Sequence, residues 1–341
     1  MINEDFFVCQ DLSKNAKLQF TNSQINMAKR LSIVITSYSI ARLGDLKDVI
    51  ESIRNQTYSY IELVLIIEGS QSLYKALTSY LPKLKLSETK VIFKINNIGL
   101  SAARNIGAEA SSGQVIAFVD DDVVLEPNWA EEVVKAYDDP TIIGTTGSSE
   151  PMWIGRSLTW LPKEFYWLIG SSAFAELNTV TEVRNAWGWG MSFRREVFDK
   201  GCRFNESYGY RAGAKEAWGQ RPPEDVDFSI KAKVQTGGRI MYVPSIRLKH
   251  KVQSYRFTVK LIAEKAFFTG RQRRSINAFY RNIEKGMLDN EKNLLLRVFT
   301  DTFARIVKNA FKRPVESWQQ FSASSIILLL IFLGFFTYRQ Q

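Results

Sequence analysis

The sequence predicts an α/β fold: a mostly parallel sheet flanked by helices, followed by a basic helical tail and a hydrophobic anchor. Three observations predict it. From Leu31 to about Ile143, short β-branched runs alternate with segments of helical spacing. Three aspartates, Asp120, Asp121 and Asp122, stand directly after the apolar run Val115–Val119. Near the other end, the 18 residues from Phe321 to Tyr338 carry no charge.

The elements follow in order. Leu31–Thr36 reads as a first strand. Leu46, Val49, Ile50 and Ile53 fall on one face of a helix over 46–56. Ile61–Ile67 is a second strand, and a helix over 70–81 stops before Pro82. Lys90–Ile95 is the third strand, 100–110 a helix, and Gln114–Val119 the fourth strand. A helix over 127–137 has Pro127 in its first turn. Such alternation implies parallel strands joined by right-handed crossovers. From Gly144 to Trp218 the pattern loosens and aromatics crowd, among them Trp153, Trp160, Phe165, Tyr166, Trp167, Trp187, Trp189 and Trp218. These suit a core or an apolar platform for a sugar ring or lipid chain equally well. Another helix runs from Pro222-Pro223-Glu224-Asp225 to Thr236 and closes at Gly237-Gly238. Two short strands, 239–243 and 246–248, bring the domain to its end just past His250.

Bulk composition narrows the classes. A hydrophobic content of 45% supports a packed core. Cys9 and Cys202 match no metal or redox spacing, so a disulfide framework is not expected. The polar stretch 1–30 has no apolar core of a signal peptide and reads as an extension. The net charge of +10 is concentrated in one segment, since Lys249–Arg313 holds 16 Lys or Arg against 5 Asp or Glu. Within it Leu295, Phe299, Phe303, Ile306 and Val307 share a face, which makes a basic amphipathic helix suited to an anionic membrane surface. No nucleic-acid motif accompanies this charge, and the adjacent apolar stretch favours lipid, so nucleic acid is not expected as a partner. At about 1.5 Å per residue the stretch 321–338 is near the lower limit for crossing a bilayer. Lys308, Lys312, Arg313 and Trp318 upstream and Tyr338 beyond give it positive and aromatic flanks. Those flanks predict a cell-membrane protein with its globular domain on the cytoplasmic face. The expected divisions are an extension at 1–30, a domain at 31–255, a basic helical region at 256–320 and a membrane helix at 321–338.

Three adjacent carboxylates repel one another, and neither helix nor sheet gains from placing them side by side. A hard divalent cation relieves the repulsion and takes oxygen ligands shared with substrate phosphates. Ligands of open α/β sheets gather at the carboxyl ends of strands. A solvated acidic turn is the alternative. Following so apolar a strand, the metal reading is preferred.

The ordered set of Leu31–Thr36, Ile61–Ser70, Asn97-Ile98-Gly99-Leu100-Ser101-Ala102-Ala103-Arg104-Asn105, Phe118–Asp122 and Pro223-Glu224-Asp225 resembles glycosyltransferase family 2 over residues 31–255. The stretches 165–170 and 191–198 are further similar to archaeal enzymes that extend dolichyl-phosphate-linked glycans. The resemblance implies a GT-A fold and inverting transfer from a nucleotide-sugar donor to a lipid-linked acceptor, with Mg²⁺ or Mn²⁺ as cofactor. It implies that Asp120 approaches the donor ribose and that Asp122 holds the metal, with Asp121 orienting its neighbours in the donor site. It makes Asp225 the base that takes the proton of the acceptor hydroxyl; helix N-terminal charge is the plainer account of Glu224-Asp225. By the same resemblance His250, the one histidine of the chain, is a metal ligand rather than a surface residue, and Arg104 faces the donor diphosphate rather than solvent. Two departures stand out. Glu68-Gly69 occupies the place where the family usually has Asp-Gly to contact the nucleobase, and Trp187-Gly188-Trp189-Gly190 stands where relatives often carry a polar Asn. The competing readings are a transferase building another surface polysaccharide, a nucleotidyltransferase and a catalytically silent sugar-binding protein. Thr36-Ser37-Tyr38-Ser39 lacks the glycine-rich loop of a nucleotidyltransferase, and intact Asp120, Asp122 and Asp225 speak against silence.

Overall fold

The computed structural model of the chain describes residues 8–11, 29–84, 86, 88–172, 178–208, 221–253, 257–283, 295–296 and 298–339. Most of the expected N-terminal extension lies outside these residues, as does Trp218. Val8–Asp11 forms a strand, β1. The expected alternation then follows: β2 (Leu31–Ser37), α1 (Leu43–Arg54), β3 (Ile61–Glu68), α2 (Gln71–Tyr80), β4 (Thr89–Lys94), α3 (Leu100–Ala110) and β5 (Val115–Val119). β2 pairs in parallel with β3 and β5, and β3 with β4. Their near-continuous burial is that of parallel strands covered on both faces. α1 buries Leu46, Val49, Ile50 and Ile53, the face its spacing marks. Ser70 caps α2 by accepting from the Leu73 N–H at 3.3 Å.

Beyond β5 come β6 (Val123–Leu125), α4 (Trp129–Ala136), β7 (Ile142–Ile154), β8 (Thr181–Glu182), β9 (Gly190–Arg194), α5 (Arg195–Asp199), α6 (Glu224–Thr236) and β10 (Arg239–Gln253). Among the described residues the strand order is β1-β4-β3-β2-β5-β9-β7-β10-β6, with β8 on β10. β1 is antiparallel to β4, and β9 is antiparallel to both β5 and β7, so the parallel centre has antiparallel margins.

Three expectations differ in detail. Pro127 precedes α4 rather than opening it, and its carbonyl accepts the Thr57 N–H at 2.8 Å. The loosened stretch after Gly144 contains the 13-residue β7 and the five-residue β9. The two short strands before His250 are one 15-residue strand, β10, with Pro244 inside it. α6 does close at Gly237, whose φ of 73° lies in the left-handed region. In β7, a Cβ on Gly147 would run into the backbone carbonyl of Ile246 in β10. A loop-like composition here serves close backbone approach.

The chain divides into two compact units. The first comprises Met1–Ser148, Asn178–Gly213 and Glu224–Lys249, and the second Ser149–Leu177, Ala214–Pro223 and His250–Gln341. The first is built on a core that includes Ile33, Ile35, Leu65, Val119, Trp129 and Tyr137. The second holds α7 (Val259–Tyr280), α8 (Phe303–Asn309) and α9 (Pro314–Thr337). Its core joins Phe165, Leu168 and Ile169 to Ile262, Ala266 and Ile327. Trp153 meets Tyr166 edge to face at 5.7 Å, and Trp160 and Trp167 pack on the same cluster, so of the two expected roles these aromatics take that of a core. Arg305 of α8 holds Glu164 at 2.7 Å. Part of the expected amphipathic helix, including Arg297 and the side chain of Phe299, lies outside the described residues. Of the rest, Ile306 is buried and Val307 exposed. α9 begins seven residues before the anticipated 321, runs for 24 residues and has a mean hydropathy of 1.9 in its most apolar window.

Gly147→Ala should lower the unfolding free energy by about 1–3 kcal/mol through overpacking of β7 on β10. Urea unfolding checks this, and an unchanged midpoint would contradict the close packing.

Candidate active site

Strand register fixes where the acidic turn lies. Ser37 pairs with Ile67 across β2 and β3, and Ile35 with Val119 across β2 and β5. Asp120–Asp122 follow β5 at once, so Asp121 comes level with Ser37. The Ser37 Oγ donates to Asp121 Oδ2 at 2.5 Å. This is the carboxyl edge of the parallel strands, where the sheet's last backbone groups point into open space.

A residue whose role the sequence does not announce stands here. Arg42 closes the single 3₁₀ turn Ile40–Arg42 after β2. Its Nη1 lies 2.6 Å from Asp122 Oδ2, 3.7 Å from Asp121 Oδ1 and 3.8 Å from Asp45. Burial works against its charge, but Asp121 and Asp122 outweigh that and hold the guanidinium above its ordinary pKa. Burial pushes the Asp121 carboxyl up to about 6, against the pull of Arg42 and Ser37. Asp120 is pushed up to about 7, by burial first and then by Asp122, Asp121 and Glu224, with Arg104 opposing. The side chain of Asp120 keeps 35% of its surface exposed, so water at the mouth of the site moderates that push.

Arg104 comes from α3, one turn past its N-terminus. It is 3% exposed, which removes the helix-surface alternative. Its guanidinium donates to Glu224 Oε1 at 3.0 Å, to the Gly188 carbonyl at 3.1 Å and to Asp120 Oδ1 at 3.4 Å. The far face of the same Gly188 peptide turn carries the link to Asp225. The Gly188 N–H donates to Asp225 Oδ2 at 3.2 Å, and the Val226 N–H donates to Asp225 Oδ1 at 2.8 Å. A Cβ on Gly188 would sit 3.2 Å from Arg104 Nη2 and 3.8 Å from Asp225 Oδ2, so the residue between Trp187 and Trp189 has to be small. The two indoles stack at 5.3 Å beside it. Burial raises Asp225 to about 6, helped by Glu224 and opposed by Arg104 and by the Gly188 and Val226 N–H groups.

Glu68 ends β3 and is buried. Its Oε2 accepts from the backbone N–H of Ile98 at 2.8 Å and of Gly99 at 2.9 Å. The carboxylate therefore pins the entry to α3, the helix that delivers Arg104, and sits on the positive end of that helix. His250 belongs to the second unit, on β10. There a Cβ on Gly170 would fall 2.9 Å from its Cε1 and Nε2, so the glycine, at a φ of 79°, makes room for the imidazole.

Thus Asp120, Asp121, Asp122, Arg104 and Asp225 are brought together in the first unit, joined by Ser37, Arg42, Gly188 and Glu224. The signal for Ser37 and Arg42 was their place just after a central strand. The carboxylates outnumber the guanidiniums, and their repulsion adds to the burial that raises Asp120. Oxygen donors with surplus negative charge fit a hard divalent cation. A carboxylate held at a helix start near them can take a proton.

Comparison with known proteins gives three kinds of likeness. The profile of "Glycosyl transferase family 2" matches residues 32–202. The glucosyl-dolichyl phosphate glucuronosyltransferase of Haloferax volcanii is 29% identical over 290 residues, which cover 84% of this chain and 90% of that protein. Among solved structures, a mannosyltransferase of Pyrobaculum calidifontis in complex with GDP-Man and Mn²⁺ superposes with a TM-score of 0.56 at 13% identity, covering 91% of this chain and 87% of that one. GalNAc-T7 with UDP, GalNAc and Mn²⁺ gives a TM-score of 0.51 at 17% identity, covering 79% of this chain and 54% of that one. This chain thus spans about half the length of the GalNAc-T7 chain.

Arg42→Ala leaves Asp121 and Asp122 without their nearest cation. Stability should fall by about 1–3 kcal/mol, and the rise in melting temperature on adding Mn²⁺ should grow. Calorimetry with and without the metal measures both; an unchanged metal response would contradict the cation-demanding turn.

Proposed function

The chain belongs to glycosyl transferase family 2 and is a glycosyltransferase with a GT-A fold, and from that premise we propose that it moves a sugar, with inversion, from a nucleotide-sugar donor to a polyprenyl- or dolichyl-phosphate-linked saccharide. The single observation that carries this reading is the Arg104–Gly188 link, which sets the Asp225 carboxylate beside the Asp120–Asp122 turn. The name of the Haloferax relative supports the acceptor class, and the bound molecules of the two solved neighbours support a nucleotide-sugar donor with a divalent cation. Assembly of a glycan destined for protein N-glycosylation belongs to the same proposal.

In the mechanism, Asp225 accepts the proton of the acceptor hydroxyl as that oxygen attacks the anomeric carbon. Attack opposite the departing nucleoside diphosphate inverts the centre. Asp120 accepts hydrogen bonds from the donor ribose. Asp121, fixed by Ser37 and Arg42, orients its neighbours. Asp122 and His250 are the proposed ligands of Mg²⁺ or Mn²⁺. That ion, when bound, neutralises charge growing on the leaving diphosphate. Glu68 acts at the donor site by holding the loop before α3, and Arg104 holds Asp120 toward the donor. Stacked Trp187 and Trp189 give the acceptor sugar an apolar face to rest on.

The same proposal puts the enzyme at the cell membrane with its catalytic domain, 31–255, on the cytoplasmic face. The basic region, 256–320, and the apolar helix hold it there, since a lipid-linked acceptor stays in the bilayer.

Asp225→Asn should cut transfer by about 10²–10⁴-fold, the usual worth of a general base. Donor affinity, measured by calorimetry, should change by less than a few-fold; equal losses in both would rule out the base role. With its carboxyl raised to about 6, Asp225 is protonated below that pH and cannot accept the hydroxyl proton. The rate should therefore fall as pH drops through about 6, and a rate flat down to pH 4.5 would contradict the assignment.

A further inference from the structure

Among the described residues, α9 is packed on one side only. Its buried positions, Ser317, Ser324, Ile327, Leu328 and Gly334, lie along one stripe. The opposite stripe is exposed and apolar: Trp318 at 70%, Ile326 at 51%, Leu329 at 58%, Phe332 at 47%, Leu333 at 46% and Phe336 at 78%. A helix on a water-facing protein shows the reverse pattern. A continuous apolar stripe of this kind marks a contact surface for a protein or a membrane, and the cations at its ends favour an anionic lipid surface.

Two further observations say how that phase is met. First, α9 is fastened to α7. A Cβ on Gly270 of α7 would strike the backbone of Ile331, and one on Gly334 of α9 would strike the backbone of Phe267. The helices touch main chain to main chain, so neither moves without the other. At this contact α7 carries Arg271, Arg273 and Arg274, with Glu264 and Lys265 nearby in the same helix. A bilayer-crossing α9 would drag those charges into hydrocarbon. Second, cations stand at both ends of the apolar stripe. Lys308, Lys312 and Arg313 are exposed at its start. At its far end Arg274 lies over the Phe335 ring at 5.2 Å, and Arg339 is exposed. A spanning helix concentrates its positive charge on one side of the membrane. A helix lying in the plane of the surface meets phosphates at both ends.

We propose that α7 and α9 form an in-plane docking surface for an anionic phospholipid leaflet, with the exposed stripe of α9 sunk among acyl chains, the flanking cations on lipid phosphates, and no crossing of the bilayer. The partner is a lipid surface of net negative charge, and both ends of the chain stay on one side of it. This rests on the reading of the C-terminal helix as the membrane anchor and replaces a span with a seat.

The test uses the full chain carrying one epitope tag before Met1 and another after Gln341. In intact spheroplasts treated with protease, the two tags should share one fate, and lysis should expose both. Opposite fates would overturn the in-plane arrangement while leaving the membrane anchor standing. The purified full chain is then floated with phosphatidylcholine vesicles, with and without about 30% phosphatidylglycerol as the anionic lipid. Binding should be at least about tenfold tighter to the anionic vesicles. The doubly substituted Lys312→Glu, Arg313→Glu chain should lose that advantage, and Leu329→Glu should weaken binding to both vesicle types. Equal binding to both lipids by the unaltered chain would overturn the proposed charge recognition. A chain that stays in the soluble fraction of cells and floats with neither vesicle would overturn the anchor reading itself, and this proposal with it.

Discussion

A buried guanidinium is the constraint on which the rest of the site depends. Arg104 is 3% exposed, and a charge so placed is tolerable only when its donors are satisfied. Asp120, Glu224 and the Gly188 carbonyl satisfy them. These acceptors come from the end of β5, the start of α6 and the tryptophan-flanked turn before β9. One side chain therefore sets the relative positions of three segments far apart in sequence. Because the N–H of the same Gly188 meets Asp225, the orientation of the proposed base depends on the brace as well. Glu68 extends the dependence one step back, since it fixes the loop that starts the helix bearing Arg104.

Charge surplus is the second organising fact. Asp120, Asp121 and Asp122 crowd the end of one strand, and Arg42 reaches only the latter two. Asp120 leans on Arg104 at 3.4 Å and is pushed up further than Asp121. A turn like this is stable in a folded protein when something positive completes it, and a cation with a diphosphate supplies charge and ligands together. In the proposed function Ser37 and Arg42 are the fixed walls of the donor site.

Much of this was legible in the chain. The alternation from β2 to β5 follows from unmistakable periodicities, and Leu46, Val49, Ile50 and Ile53 are buried where their spacing put them. The acidic turn was legible because no structural role explains three carboxylates after so apolar a strand. β7 and β9 were not, because Gly144, Gly147 and Gly190 serve close contacts with Phe193, Ile246 and Leu248 and so resemble loop punctuation. Arg42 was hidden in an ordinary helix entry, and nothing in Ile40-Ala41-Arg42 points across 80 residues to Asp122. The stretch Trp187-Gly188-Trp189-Gly190 stands out in the sequence as a departure from a polar Asn, but the two-sided use of Gly188 by Arg104 and Asp225 is a tertiary fact.

The measurement that goes most directly to the brace is the turnover of Arg104→Lys. Lysine keeps the charge but lacks the fork that reaches a carbonyl and two carboxylates at once. The account predicts a folded protein whose kcat for sugar transfer is lower by about 10²-fold, the cost of a small misplacement of reacting groups. A folded Arg104→Lys protein that turned over at the rate of the unaltered chain would contradict it.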